Sequence, residues 1–115
     1  MMQTQRHAFP IHVRTGWIDF SPALHSYVTG RVTRTLSPFA SRIASVAVRI
    51  GNQEPHDPAT RLCAIDIQLK ADGAISSVSS GRDVYDVVNN ATDAILKKMR
   101  ALREFESADA LSRIA

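Results

Sequence analysis

The segment Leu62–Lys70 restricts the fold more than any other stretch. Its odd positions, Cys63, Ile65, Ile67 and Leu69, are apolar, and its even positions include Asp66, Gln68 and Lys70. Successive side chains of a strand point to opposite faces, so a period of two marks a strand with one dry and one wetted side. A sheet built around such a strand is covered on one face only. Two helical segments supply the cover. Leu24, Val28, Val32 and Leu36 recur every four residues, and Val84, Val87, Val88, Ala91, Ile95, Met99 and Leu102 recur at spacings of three and four. That is the spacing of helices with one buried stripe.

Local signals place the boundaries. Ile11–Thr15 alternates Ile11 and Val13 with His12 and Arg14, a short strand. Ser21 before Pro22 pairs a capping hydroxyl with a proline in the first turn, so the spacing predicts a helix over Pro22–Leu36, ended by Ser37-Pro38. Gly30 sits inside it at a cost of about 1 kcal/mol relative to alanine, with close packing against the sheet as a candidate reason. A second strand is expected over Ile43–Ile50, and Gly51–Thr60, with its two prolines, is expected as a loop. Asp72-Gly73 is a hairpin signal leading to a fourth strand over Ala74–Ser79. Asp83 caps the last helix, with Asp86 in its first turn.

The order strand, helix, strand, strand, strand, helix predicts an α+β domain, β-α-β-β-β-α, with a four-stranded sheet and two helices packed on one face. Residues 1–9 are expected as a flexible N-terminus, 10–105 as the single domain and 106–115 as a frayed tail. A chain of 115 residues and 12.6 kDa holds one modest core. No apolar run approaches a membrane span, and no apolar stretch follows Arg6 and His7 as a secretory signal requires. The expected location is the cytoplasm.

Candidate chemistry is sparse. Cys63 is the single cysteine and falls on the apolar face of its strand, where it reads as a small core residue. His12, His25 and His56 show no metal-ligand spacing. Asp66 is the one acid placed as a catalytic carboxylate would be, and pairing with Arg49 across the strands accounts for it better. No Gly-rich phosphate loop is present. Neither a cofactor, a metal nor a small-molecule substrate is expected, and the chain reads as a non-enzyme. Trp17 reads as a partly buried lid before the first helix.

The charge is more informative. Fourteen Lys and Arg against eleven Asp and Glu give a net +3, a balance compatible with nucleic acid. Eleven of the fourteen basic residues are arginine, whose planar fork suits phosphate. Lys97, Lys98, Arg100 and Arg103 cluster in the last helix. They read either as phosphate contacts or as a solvated helix end complementing the dipole. Arg31 and Arg34 offer the same choice on the first helix. Arg82 stands before the last helix, free to reach a phosphate or to pair with Asp83 or Asp86. Tyr85 either stacks on a base or packs on the sheet.

Three segments, set in this element order, resemble the short ribosome hibernation factors. They are Phe20-Ser21-Pro22-Ala23-Leu24 with Tyr27, Val28 and Arg31; Ile43 through Val48; and Asp83-Val84-Tyr85 with Val88 and the basic run Lys97–Arg103. That family includes the hibernation promoting factor and the ribosome-associated inhibitor A, also called sigma-factor modulation proteins. The likeness spans about residues 10–104. It implies a protein that binds 16S rRNA of the small (30S) subunit, occupies the channel for messenger and transfer RNA, and silences translation under stress. Arg31, Arg34, Lys97 and Arg103 match basic positions of the family, Lys98 and Arg100 add charge, and Arg82 extends the set. Ala94 and Ala101 stand where the family is usually basic, so the patch is shifted. A monomer is expected. The alternative is a divergent paralogue without a ribosome role, acting as a protein-interaction module or pairing with itself through the sheet.

Overall fold

The computed structural model describes residues 9–16, 21–54, 57–71 and 73–114, the side chains of 53–54, 57–58 and 106–114 excepted. Trp17, Phe20, His56 and Asp72 lie outside these residues. The elements run β1 (Ile11–Gly16), α1 (Pro22–Leu36), a 3-10 helix (Ser37–Arg42), β2 (Ile43–Glu54), β3 (Asp57–Leu69), β4 (Ala74–Gly81) and α2 (Val84–Ile114). The sheet order is β1-β2-β3-β4. β1 and β2 are parallel, and β2-β3-β4 form an antiparallel meander. Parallel neighbours need a crossover, and α1 supplies it. This is the α+β arrangement that the alternation in β3 and the two helical stripes require.

The core lies between the sheet and the helices. Leu24, Val28, Val32 and Leu36 of α1 and Val87, Val88, Ala91, Ile95 and Met99 of α2 meet Val46, Val48, Ile50, Cys63, Ile65 and Ile67 of the sheet. Each buried aliphatic side chain of this kind contributes about 1.5–3 kcal/mol. Two polar groups inside this layer find partners. The Ser77 hydroxyl donates to the Ala91 carbonyl at 2.8 Å, tying β4 to α2, and the Thr92 hydroxyl donates to the Val88 carbonyl at 2.7 Å. A buried hydroxyl without such a partner would destabilise the fold.

The helix starts are built as the sequence predicts. Ser21 is extended, with φ −131°, and its Oγ accepts from the Leu24 N–H at 3.2 Å. Asp83 Oδ1 accepts from the Tyr85 and Asp86 N–H groups at 2.8 and 3.3 Å. Both caps satisfy donors that a helix start leaves open. Gly73 takes φ +90° at the β3–β4 turn, a conformation that favours glycine.

Two expectations need correction. Of the expected loop Gly51–Thr60, the described residues 51–54 and 57–60 are strand. β2 and β3 continue their pairing through Gly51–Leu62, Asn52–Arg61 and Glu54–Asp57, with an irregularity between Asn52 and Glu54. The extra pairs and a hydrogen bond from the Arg61 guanidinium to Asn52 Oδ1 hold this hairpin arm together. Ser37-Pro38 ends the α-helix as expected, and the chain then tightens into the 3-10 helix and buries Phe39. Gly30 packs against Arg34 rather than the sheet: a Cβ there would stand 3.0 Å from an Arg34 guanidinium nitrogen. In addition, β4 runs two residues past Ser79, and α2 continues through 106–114 as helix.

Candidate nucleic-acid interface

The outer surface of the helical layer is set by how α1 and α2 are joined. Asn89 of α2 reaches α1, and its Oδ1 accepts from the Tyr27 hydroxyl at 2.7 Å and from Arg31 Nε at 3.0 Å. Arg31 also donates to Asp93 Oδ1 at 3.0 Å and to Thr35 Oγ1 at 3.2 Å. Tyr27 and Tyr85 meet edge to face, with centroids 4.9 Å apart, a favoured aromatic geometry. The two helices therefore rise side by side in register: residue 27 faces 85 and 89, and residue 31 faces 89 and 93. Further along, the Arg103 guanidinium lies 4.8 Å from the centre of the Phe39 ring, a cation–π contact.

This frame sorts the expected site residues. Arg31 is a bridge between helices, with Asn89, Asp93 and Thr35 engaging all three guanidinium nitrogens. Arg34, Lys97 and Arg100 are exposed and have no side-chain partner among the described residues. Arg34 lies over Gly30 on the outer side of α1, and Lys97 and Arg100 continue α2 past Asp93. Lys98 turns to the other flank, where its ammonium donates to the Ser76 carbonyl on β4. The rise of a helix at 1.5 Å per residue puts Arg82, just before the N-terminus of α2, roughly 20 Å from Lys97 near the middle of that helix. Arg82 is exposed and forms no ion pair with Asp83 or Asp86 among the described residues. Tyr85 is 39% exposed and packs on Tyr27 rather than on the sheet.

The basic run of α2 thus divides by helical angle. Lys97 and Arg100 face outward, Lys98 serves the β4 flank and Arg103 covers Phe39. Together with Arg34, the outward pair forms a cationic surface without acidic partners within hydrogen-bond reach. Such a surface suits phosphates, since each guanidinium offers a two-pronged contact. Asn89 is the residue that sequence reasoning missed. Nothing in its local pattern marks it, because its role comes from side chains 58 and 62 positions earlier.

Chemistry of other kinds finds little footing. Cys63 is fully buried, and burial pushes its thiol up from 9.0 to about 12. Asp66 faces Arg49 across the strands at 3.7 Å, the pairing read from the sequence. No group of three or more metal-ligating side chains occurs among the described residues. No helix among them is long and apolar enough to cross a membrane.

No protein-family model and no curated protein sequence matches the chain. Solved structures do. A ribosomal subunit interface protein from Coxiella burnetii superposes with a TM-score of 0.70 at 15% identity, covering 82% of this chain and 97% of its own. The N-terminal domain of Protein Y from Thermus thermophilus superposes with a TM-score of 0.65 at 13% identity, covering 79% and 94%. The chain shares the fold of these two proteins over most of its length, and the fold implied by the hibernation-factor resemblance is the fold observed.

Proposed function

We propose that the chain is a ribosome-associated translation inhibitor of the hibernation-factor type. It binds rRNA of the small subunit and acts by filling the channel for messenger and transfer RNA, without catalysing a reaction. The observation that carries this reading is the outward cationic surface of Arg34, Lys97 and Arg100 on a fold shared with a ribosomal subunit interface protein. Arg31 acts one step behind it, holding α1 and α2 at the spacing that sets this surface. Arg103 and Lys98 extend the positive field to either side, and Arg82 adds a charge just before the N-terminus of α2. Tyr85 presents a half-exposed ring to a base or ribose at the rim. Shape and phosphate contact supply the recognition, as is usual for structured RNA.

A cell-free translation assay tests the inhibition. The wild-type chain, added in slight excess over ribosomes, should depress peptide synthesis. The Lys97→Glu/Arg100→Glu variant should relieve that effect while keeping its fold. Full synthesis with the wild-type chain bound to ribosomes would reject inhibition by occupancy.

A further inference from the structure

The face of the sheet turned away from the helices carries a feature that the helical site does not use. Arg14 of β1 and Arg49 of β2 are register partners in the parallel pair. Both are exposed on this open face, on strands about 4.8 Å apart. Like charges set directly opposite each other in a sheet destabilise it. Arg49 is only loosely engaged, 3.7 Å from Asp66, and Arg14 has no hydrogen bond or ion pair among the described residues. His12 lies on the same face one pleat along β1, and Asp66 is the one acid there among the described residues. Arg14 and Arg49 are direct register partners with no residue between them, and Arg49 is flanked on this face by the small residues Ala47, Gly51 and Ala64.

We propose that this face holds a second phosphate seat, in which Arg14 and Arg49 together grip one phosphate group of an RNA backbone. The anion removes the repulsion that the register creates. Two guanidinium forks present more donors than one carboxylate can accept, and a phosphate with its exposed oxygens matches them better. No Phe, Tyr or Trp side chain lies on the open face among the described residues, so beyond the His12 imidazole the face offers no stacking platform for bases and fits the backbone instead. Asp66, on the β3 side of Arg49, keeps the seat toward the β1 edge. The domain is thereby equipped to touch RNA from both sides, as a body lodged in a cleft would be. The proposal rests on the RNA-binding reading of the chain.

The test is the affinity of the full chain for a labelled single-stranded RNA, measured by anisotropy between about 50 and 200 mM salt. The chains compared are wild type, Arg14→Gln/Arg49→Gln and Lys97→Gln/Arg100→Gln. The open-face variant should lose about tenfold in affinity, with a salt slope shallower by about 0.7, since one phosphate fewer is neutralised. Its melting temperature should hold or rise, because a repulsive pair is gone; a merely structural pair would lower it. If the helical-face variant alone loses affinity, the second seat is overturned and the helical reading stands. If the wild-type chain binds no RNA, both are overturned. If the open-face variant keeps RNA affinity but loses binding to a labelled polyglutamate peptide, the face serves an acidic protein and the phosphate seat is rejected.

Discussion

The two faces of the sheet come from the same strands and have opposite fates. On β3, Cys63, Ile65 and Ile67 turn toward the helices and are fully buried, while Asp66 and Gln68, one residue apart from them, meet solvent. On β4, Ser77 points inward and finds the Ala91 carbonyl, while neighbouring Val78 is 63% exposed on the open side. Burial therefore follows side more than hydrophobicity: a serine is inside and a valine outside, with the small Ala64 as a buried exception on the open face. On the inward face of the sheet the buried Ser77 hydroxyl has its partner, whereas Thr29 Oγ1 and Thr33 Oγ1 of α1 are buried without one among the described residues. The outward face tolerates an apolar group, and even two facing arginines, because water remains available. Stability resides on the first face, and the second is left to vary with whatever the molecule binds.

Substitutions sharpen this contrast. Ile65→Ala should have the largest effect, lowering unfolding free energy by about 2–5 kcal/mol in denaturant titration. An effect as small as that of an open-face change would mean that the helices do not seal this side. Gly51→Ala comes next. A Cβ there would collide with the Gly16 carbonyl oxygen across the β1–β2 pair, and about 1–3 kcal/mol should be lost. Hydrogen exchange of β1 amides should show that strand loosening first.

Arg31→Met removes the link to Asn89 and Asp93, which is only partly screened from water. A drop of about 1 kcal/mol is expected, discounted for the exposed Asp93. Lys97→Gln should change stability by no more than about 0.5 kcal/mol. If Arg31→Met proves as neutral as Lys97→Gln, the division between bridging and outward cations fails.

Val78→Thr, on the open face, should be close to silent. A slope with pH separates the faces in another way. Burial raises the Cys63 thiol from 9.0 to about 12. Its contribution is therefore complete below about pH 9 and is lost as pH rises toward 12, because the unfolded chain releases the proton first. Wild type should lose stability over that window faster than Cys63→Ala, and equal slopes would mean that the thiol is not sealed.

The sequence makes the faces legible because alternation is local: Cys63, Ile65, Ile67 and Leu69 declare the inward side without reference to anything else. The pairing of Asp66 with Arg49 is legible for the same reason, once the strands are placed side by side. The hairpin arm is not, because Gly51, Asn52 and two prolines carry turn chemistry, and only the cross-strand register carries β2 on to Glu54 and starts β3 at Asp57. Arg31 and Arg34 are equally hidden. Both are arginines on one helix, and what separates them is Asn89, brought alongside Arg31 by packing. The basic run Lys97–Arg103 is visible as composition. Its division into outward, β4-facing and Phe39-covering members depends on which flank of α2 each position occupies.

The central claim is that the outward cations of the helical layer bind the small ribosomal subunit. Co-sedimentation of the chain with isolated small subunits and whole ribosomes, at low and at high salt, tests it most directly. The account predicts that the chain travels with the small subunit at low salt and is released at high salt, and that Lys97→Glu/Arg100→Glu stays at the top of the gradient throughout. A wild-type chain that stays at the top at both salts would contradict it.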